Sequence, residues 1–226
     1  MVGGAAVLLL VAAGVGGAWL LSSHHAPAPL ALGSPTPAAS PGGAGGTWKV
    51  TDGSEAGYRV REKLVNQSST TEAVARTTKI SGGLVVDSSG GVLTATALHF
   101  TADLSALVSQ DRYAVFQTYQ RDFFIRTVYL MTDQFPNADF TADKVTVPAA
   151  ITSGPVSITV TGNLTVHGET KPVTTVVHVQ LTGDQVEVAG SINIDMRDFN
   201  ISVPDISFTK AEPGVVIEYR LLLTRA

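Results

Sequence analysis

The chain of 226 residues is 44% hydrophobic and 15% charged, with a formal net charge of -4 and a pI of about 5.7. Because Lys and Arg are neither in excess nor clustered, the composition argues against binding to the phosphate backbone of a nucleic acid. The absence of cysteine excludes disulfides, thiolate zinc sites, cysteine nucleophiles and a lipid-acylated cysteine.

The N-terminus is an apolar segment in a stretch of 48 residues that contains no Asp, Glu, Lys or Arg. Residues 2–21 carry no polar side chain, and their number is about what an α-helix needs to cross roughly 30 Å of hydrocarbon. We therefore predict a single-pass anchor in the cytoplasmic membrane, with the rest of the chain on the extracytoplasmic side. A cleaved signal peptide is the alternative, because Ala26-Pro27-Ala28 has the small-x-small pattern of a cleavage site. Cleavage would leave a secreted or periplasmic protein.

The next segment, residues 22–46, is rich in Pro, Ala, Ser and Gly. Such a composition cannot build a hydrophobic core and is typical of an extended, semi-flexible linker. The sequence thus predicts three parts: a transmembrane anchor or signal segment at 1–21, a linker at 22–46 and one globular domain at 47–226.

The globular part shows alternating apolar and polar residues in segments of about ten, the pattern of half-buried antiparallel strands. Eight strands are predicted: Tyr58–Leu64, Glu72–Asp87, Val92–Asp103, Asp139–Val147, Val156–His167, Val173–Thr182, Val186–Asp195 and Val215–Thr224. Tight turn signals such as Gly183-Asp184 indicate that neighbours pair in sequence order. Eight strands suffice to close a barrel, so the predicted fold is all-β.

One segment breaks the alternation. Ser109 to Leu130 places Tyr113, Phe116, Phe123 and Thr127 at helical spacing and is rich in aromatics. We expect a helix that ends before Pro136. Its aromatic side chains need a cover, and an open end of the barrel is the simplest one, so the helix is predicted to cap the barrel.

Several segments resemble the YceI-like polyisoprenoid-binding family. Gly162–Val173 resembles that family's G-x-L-T-[IV]-H-G-x-T-[KR]-P-V strand-turn-strand segment. Arg121-Asp122 followed by Phe135–Phe140 resembles its R-D…F-P-x-x-x-F segment, and Asp195–Ile201 is similar to its R-x-[DN]-F-x-I segment. The resemblance covers about residues 47 to 223.

The resemblance implies a lipocalin-like, eight-stranded antiparallel barrel with one capping helix. It also implies a non-catalytic role in binding, storing or carrying one long apolar lipid, such as a polyisoprenoid, an isoprenoid quinone or a fatty-acid-like molecule, in the cell envelope. No cofactor is implied. Many members of the family carry an ordinary secretory signal, from which residues 2–21 depart.

Eleven apolar side chains are predicted to contact this lipid: Phe100, Phe116, Phe123, Phe124, Ile158, Val160, Leu164, Val166, Ile192, Ile194 and Phe199. An eight-stranded barrel is just wide enough either to hold one small ligand or to be filled by side chains. The alternative function is therefore a ligand-free, filled barrel that binds another protein of the envelope. A continuous apolar cavity would favour lipid binding. A filled core with an exposed apolar patch would favour the protein-binding function.

The polar residues match no catalytic motif, so no enzyme activity is predicted. His99, His167 and His178 lie on separate predicted strands, which argues against a metal site. Arg121-Asp122 and Arg197-Asp198 are expected to pair with each other or to bond backbone groups where the helix docks. Alternation places Arg59, Arg61 and Lys63 on the solvent face of their strand and leaves Glu62 on the apolar face without an explanation.

Overall fold

The computed structural model describes residues 26–34, 44–65, 69–89, 92–111, 115–206 and 209–226. The predicted anchor at 1–21 lies outside the described residues. In the described part, no helix is both long enough and apolar enough to span a membrane.

Twelve strands form one antiparallel sheet in the described part. They are β1 Gly46–Val50, β2 Glu55–Leu64, β3 Thr70–Thr77, β4 Ile80–Asp87, β5 Leu93–Asp103, β6 Val108–Ser109, β7 Asn137–Val147, β8 Val156–Val166, β9 Glu169–Thr182, β10 Gln185–Asp195, β11 Asp205–Ile206 and β12 Thr209–Arg225. The alternation that predicted the strands is the reason for this sheet, because it gives each strand one apolar face to bury.

The sheet closes into an eight-stranded barrel. The pairing runs β1-β4-β5-β7-β8-β9-β10-β12, and β12 pairs in turn with β1, where Trp48 lies opposite Arg225. β2 continues the wall where β1 ends, because both strands pair with the same edge of β12. In the next row, β3 pairs with β2 as β4 pairs with β1. The predicted eight-stranded antiparallel barrel is confirmed.

One predicted strand, Glu72–Asp87, is wrong in detail because the chain divides it into β3 and β4. The break falls at residues 78–79 and lies beside the turn that separates β1 from β2. That turn is fixed by Ser54, whose hydroxyl donates to Thr51 O at 2.8 Å and accepts from Leu222 N at 2.9 Å. Because β3 pairs with β2 while β4 pairs with β1, the two breaks lie side by side in the wall.

The predicted helix is present but starts later than Ser109, which lies in β6. Helix α1 spans Val115–Phe124 and continues into a π-helical turn over Ile125–Tyr129, where Leu130 N donates to Ile125 O at 2.8 Å. It ends before Pro136, as predicted. The helix covers one end of the barrel.

Part of the predicted linker lies against the outside of the barrel. Residues 26–34, which we call the strap, have no helix or strand of their own but are hydrogen-bonded to the outer wall. The sequence did not predict this contact.

Candidate ligand-binding cavity

The barrel encloses two apolar cavities that follow one another along its axis. The first leaves about 180 Å³ for the centres of water-sized molecules. All eight strands of the closed ring contribute to its lining. One residue from each strand, in ring order, is Trp48, Leu84, Phe100, Phe140, Val160, Val179, Val188 and Tyr219. This cavity lies in the half of the barrel away from the helix.

The second cavity lies under the helix and leaves about 130 Å³ by the same measure. The barrel wall contributes Tyr58, Val60, Val166, Ile194 and Val215. Ile125, Tyr129 and Leu130, at the end of the helical segment, close it from above. The helix therefore forms the roof of this cavity.

The two cavities border a waist whose shared lining consists mostly of small side chains. Ala56, Ala102, Ala138 and Ile217 belong to the lining of both. A methyl group leaves space where a larger side chain would divide the interior. The lining of the combined space runs from Val215 to Leu223 on β12, about 26 Å of extended strand. An elongated molecule fits this shape.

The cavity walls are almost entirely hydrocarbon, and the two tyrosine hydroxyls near them are neutral. Burial raises the pKa of Tyr58 well above its usual range, although the Arg121 guanidinium opposes that change. Burial also raises the pKa of Tyr219, which is partly offset by its hydrogen bond with Thr175. An apolar cavity of this kind stays free of ordered water and favours apolar ligands.

No group of three or more His, Cys, Asp or Glu side chains in the described residues is placed to hold a metal ion. His99 and His178 lie on the outer wall, where His99 Nε2 is 3.4 Å from Asp139 Oδ1 and His178 Nδ1 is 2.9 Å from Ser157 Oγ. His167 occupies a turn. The described histidines thus do not point to a shared reactive centre.

A polar cluster holds the helix to the barrel wall beside the second cavity. Arg121 on α1 pairs with buried Asp111, donates to Ser109 Oγ at 2.7 Å and lies 3.5 Å from Glu62 Oε1. Asp122 accepts from Ser109 N at 3.2 Å. Burial by itself would lower the pKa of Arg121. The hydrogen bond and the charge of Asp111 outweigh this effect, so the pKa is raised above its usual value and the arginine stays charged.

This cluster corrects the sequence analysis in part. Arg121 and Asp122 do not pair with Arg197-Asp198; they bond Ser109 and acidic residues where the helix docks. Arg197 instead pairs with Asp195 at the protein surface. Glu62, which had no explanation, accepts from Arg121 and from Thr209 Oγ1, the latter at 2.9 Å.

The eleven predicted contact residues fall into three groups. Seven line the cavities: Phe100, Ile158, Val160, Leu164 and Ile192 the first, Val166 and Ile194 the second. Phe199 is buried in the core beside the second cavity but is not in its described lining. Phe123 and Phe124 are 52% and 43% exposed on α1 and line neither cavity, and the Phe116 side chain lies outside the described part.

Several lining residues were missed, and for some of them the sequence did contain a signal. Val177 and Val179 on β9, Val186 and Val188 on β10 and Tyr219 on β12 all point inward. Their strands alternate as clearly as β8 does, so the same criterion would have selected them. The waist alanines Ala102 and Ala138 carry no comparable signal, because alanine is common on either face of a strand.

The segments that carried the family resemblance meet at the helix end of the barrel. His167 and Gly168 form the two-residue turn between β8 and β9, with φ of 52° and 77°, which suits a type I′ hairpin. His167 Nδ1 donates to Phe199 O at 3.2 Å, and the Phe135 ring lies 4.6 Å from the His167 ring. These residues join the β8–β9 turn to the segments around Phe135 and Phe199, and they do not line the cavity.

Comparison with known proteins agrees with this architecture. A polyisoprenoid-binding domain from Saccharophagus degradans has a TM-score of 0.56 and 16% identity, covering 79% of this chain and 98% of that one. BcnA from Burkholderia cenocepacia has a TM-score of 0.50 and 20% identity, covering 73% and 95%. No curated protein matches this chain. A family model described as the YceI-like domain matches residues 48–221, and the chain therefore belongs to the YceI-like family.

Proposed function

We propose that this protein binds one long apolar lipid, of isoprenoid or acyl type, inside its barrel without modifying it chemically. The observation that carries this proposal is the pair of apolar cavities that share the alanines of the waist in their lining. The Saccharophagus degradans domain, which is described as polyisoprenoid-binding, supports the same class of ligand.

Burial of hydrocarbon alone supplies enough free energy for such binding. Each CH₂ group moved from water into an apolar cavity contributes about 0.8 kcal/mol. A chain of about ten carbons therefore offers about 8 kcal/mol before the costs of ordering the ligand and the protein. No charged group in the cavity wall is needed to explain affinity.

The ligand itself is identified by mass spectrometry. Residues 26–226, which include every described residue, are purified from the native host without detergent, and an organic extract is analysed. A stoichiometric isoprenoid or acyl species supports the proposal and names the ligand class. An extract that is empty in repeated native preparations contradicts it and favours a barrel that binds an envelope protein instead.

The alanine waist allows a sharper test of how the lipid lies. Ala138→Trp places a large side chain where the two cavities meet. The variant should bind geraniol, a short isoprenoid alcohol, about as well as the unchanged chain, and geranylgeraniol at least about tenfold more weakly. Titration of tryptophan fluorescence or calorimetry measures both affinities.

Thr141→Trp is the matched control, because it adds the same side chain at an exposed position of the same strand. It should leave the affinity for both alcohols unchanged. Equal loss of the short and the long alcohol in Ala138→Trp would indicate that the ligand occupies one cavity only.

We further propose that the barrel works in the cell envelope, held at the extracytoplasmic side of the cytoplasmic membrane by residues 2–21. The length and apolar character of that segment support the location. Mass spectrometry of the mature N-terminus in the native host distinguishes an uncleaved anchor from a signal removed near Ala28. Protease treatment of intact spheroplasts should digest the barrel, and survival of the barrel would contradict the proposed side.

A further inference from the structure

The strap is hydrogen-bonded to the barrel through its backbone. In its first half, carbonyl groups accept from arginines of the outer wall: Arg59 Nη2 donates to Pro27 O at 2.8 Å, and Arg76 Nη2 donates to Ala28 O at 2.6 Å. Both arginines belong to strands of the wall, β2 and β3.

In its second half, the strap presents amides to two carboxylates. Leu30 N donates to Glu218 Oε2 at 3.3 Å, and Gly33 N donates to Glu187 Oε1 at 2.9 Å. Gln180 Nε2 donates to Gly33 O at 3.2 Å. The wall therefore offers donors where the strap has carbonyls and acceptors where it has amides.

The wall residues that make these contacts form a groove, which we define as Arg59, Arg76, Gln180, Glu187 and Glu218. Four of them are buried although they point away from the barrel interior, with Glu218 only 2% exposed. Polar side chains are rarely buried unless they are paired. Here the strap supplies part of the cover and part of the pairing.

The groove also holds its own charges in place. Glu218 lies 2.8 Å from Arg76 and 3.4 Å from Arg59, which in turn pairs with Glu72 at 2.7 Å. Glu187 pairs with Arg220 at 2.5 Å. Charged side chains fixed in this way are ready to bond a peptide backbone without reorganisation, which reduces the entropy cost of docking.

The strap is matched to the groove in charge and in conformation. It carries no charged side chain, and each of the contacts named above is made by one of its peptide groups. Pro27 and Pro29 restrict their own φ angles and bias the preceding residues towards extended backbone. A segment that is already extended loses less conformational freedom when it docks.

We infer that the groove is a recognition site for the chain's own residues 26–34, which docks them in cis and holds the barrel against this segment. The site lies on the outer wall and is separate from the cavity, so it does not depend on the proposed lipid.

The docked strap changes how far the barrel can move from the predicted anchor. A free linker over residues 22–46 would have a root-mean-square span of about 25–30 Å. With the strap docked, only residues 22–25 separate the predicted anchor from the barrel, and they reach at most about 14 Å. The barrel would then stay beside the membrane surface in a restricted orientation.

Spin labelling of the full chain tests the inference directly, because the protein has no cysteine of its own. Ala31→Cys labels the strap at an exposed position, and Val176→Cys labels the outer wall of β9, where the valine is 52% exposed. Double electron–electron resonance should give one narrow distance distribution. Hydrogen exchange of the unlabelled chain should be at least about tenfold slower at the Leu30 and Gly33 amides than at the Ala31 amide, which has no acceptor among the residues that the structure describes.

Two strap variants complete the test without altering the barrel. Leu30→Pro combined with Gly33→Pro removes both bonded amides and should broaden the distance distribution. Ala28→Pro adds a proline but removes no bonded amide, and it should leave the distribution narrow.

Three outcomes would overturn the inference: a broad distribution in the labelled chain with the native strap, a narrow one in the double-proline variant, or unprotected amides at Leu30 and Gly33. Dilution of the labelled chain with unlabelled chain should change nothing. Loss of the narrow distance on dilution would also overturn the inference, because it would mean that the strap docks on a second copy. Lipid content, measured on the same samples, reports separately on the proposed function.

Discussion

β12 directs Tyr219 and Leu221 into the first cavity, while Glu218 and Arg220 on the same strand point to the outer wall. Both faces are largely buried, but they are stabilised differently. The inner face gains free energy in proportion to the apolar area that it buries, without directional requirements. The outer face depends on charged partners in defined positions, so that loss of one partner leaves the others buried and unpaired.

Burial alone therefore does not identify the ligand site of a barrel. The inner face leaves open space that a lipid can fill, whereas the outer face is already covered by a segment of the same chain. The two faces should therefore respond differently to substitution.

The largest effect is expected at the outer face. Glu218→Ala removes the carboxylate shared by Arg59 and Arg76 and should lower the free energy of unfolding by about 3 kcal/mol. The value falls at the lower end of the range for buried pairs because Arg59 keeps Glu72 as a partner. Urea unfolding followed by tryptophan fluorescence measures the change.

Glu212→Ala is the matched control for that prediction. Glu212 lies 3.7 Å from Arg61, and both side chains are at least half exposed. The control should change the free energy of unfolding by less than about 0.5 kcal/mol. Similar losses in both variants would show that the outer-face cluster has no special role.

The same region shows what alternation can and cannot predict. The sequence placed Arg59, Arg61 and Lys63 on the outward face of β2, and all three do point outward. Arg61 and Lys63 are exposed, but Arg59 is 8% exposed because the strap covers it. Alternation reports the direction of a side chain and contains no information about a distant segment that docks over it.

The candidate site shows a similar division. Strand residues such as Val160 and Ile192, which are predicted to contact the lipid, line the cavity because the two-residue period fixes the inward face. For Phe123 and Phe124, aromatic character suggested contact with a ligand, but the helix turns them outward. In a short helix with aromatics on several sides, spacing does not decide which side faces the barrel.

The second effect, of intermediate size, concerns two adjacent valines of β9 that carry the same side chain on opposite faces. Val177 is 8% exposed and lines the first cavity, whereas Val176 is 52% exposed on the outer wall. Val177→Ala should lower the free energy of unfolding by about 2 kcal/mol, since it removes two buried methyl groups and enlarges the cavity. Val176→Ala should change it by less than about 0.5 kcal/mol.

Thermal or urea unfolding of the two valine variants, after extraction of any bound lipid, measures this difference. The extraction matters because a lipid that fills the enlarged cavity would restore part of the lost stability. Equal effects of the two substitutions would contradict the assignment of inner and outer faces on β9.

The smallest effect is a pH dependence of the strap. Burial alone would raise the pKa of Glu187, but hydrogen bonds from Gly33, Gln180 and Arg220 and the charge of Arg220 hold it below its usual value of 4.5. A carboxylate with a lowered pKa stabilises the docked state fully above the pKa of the undocked state, and this contribution is lost as the pH falls through the lowered value. Protection of the Gly33 amide against exchange should therefore decrease as the pH falls through the lowered pKa of Glu187, by about 1 kcal/mol, the order lost when a hydrogen bond loses its charged acceptor.

Glu218 also accepts from the strap, through Leu30 N, so the contribution of Glu187 has to be isolated by substitution. Glu187→Gln keeps an oxygen that can accept from Gly33 N but removes the titrating charge. The difference in protection between the unchanged chain and this variant should be constant at neutral pH and shrink as the solution is acidified. A difference in protection that does not vary with pH would mean that the strap is held by the shape of the groove rather than by the charge of Glu187. Such a result would weaken the distinction between a charged outer face and an apolar interior.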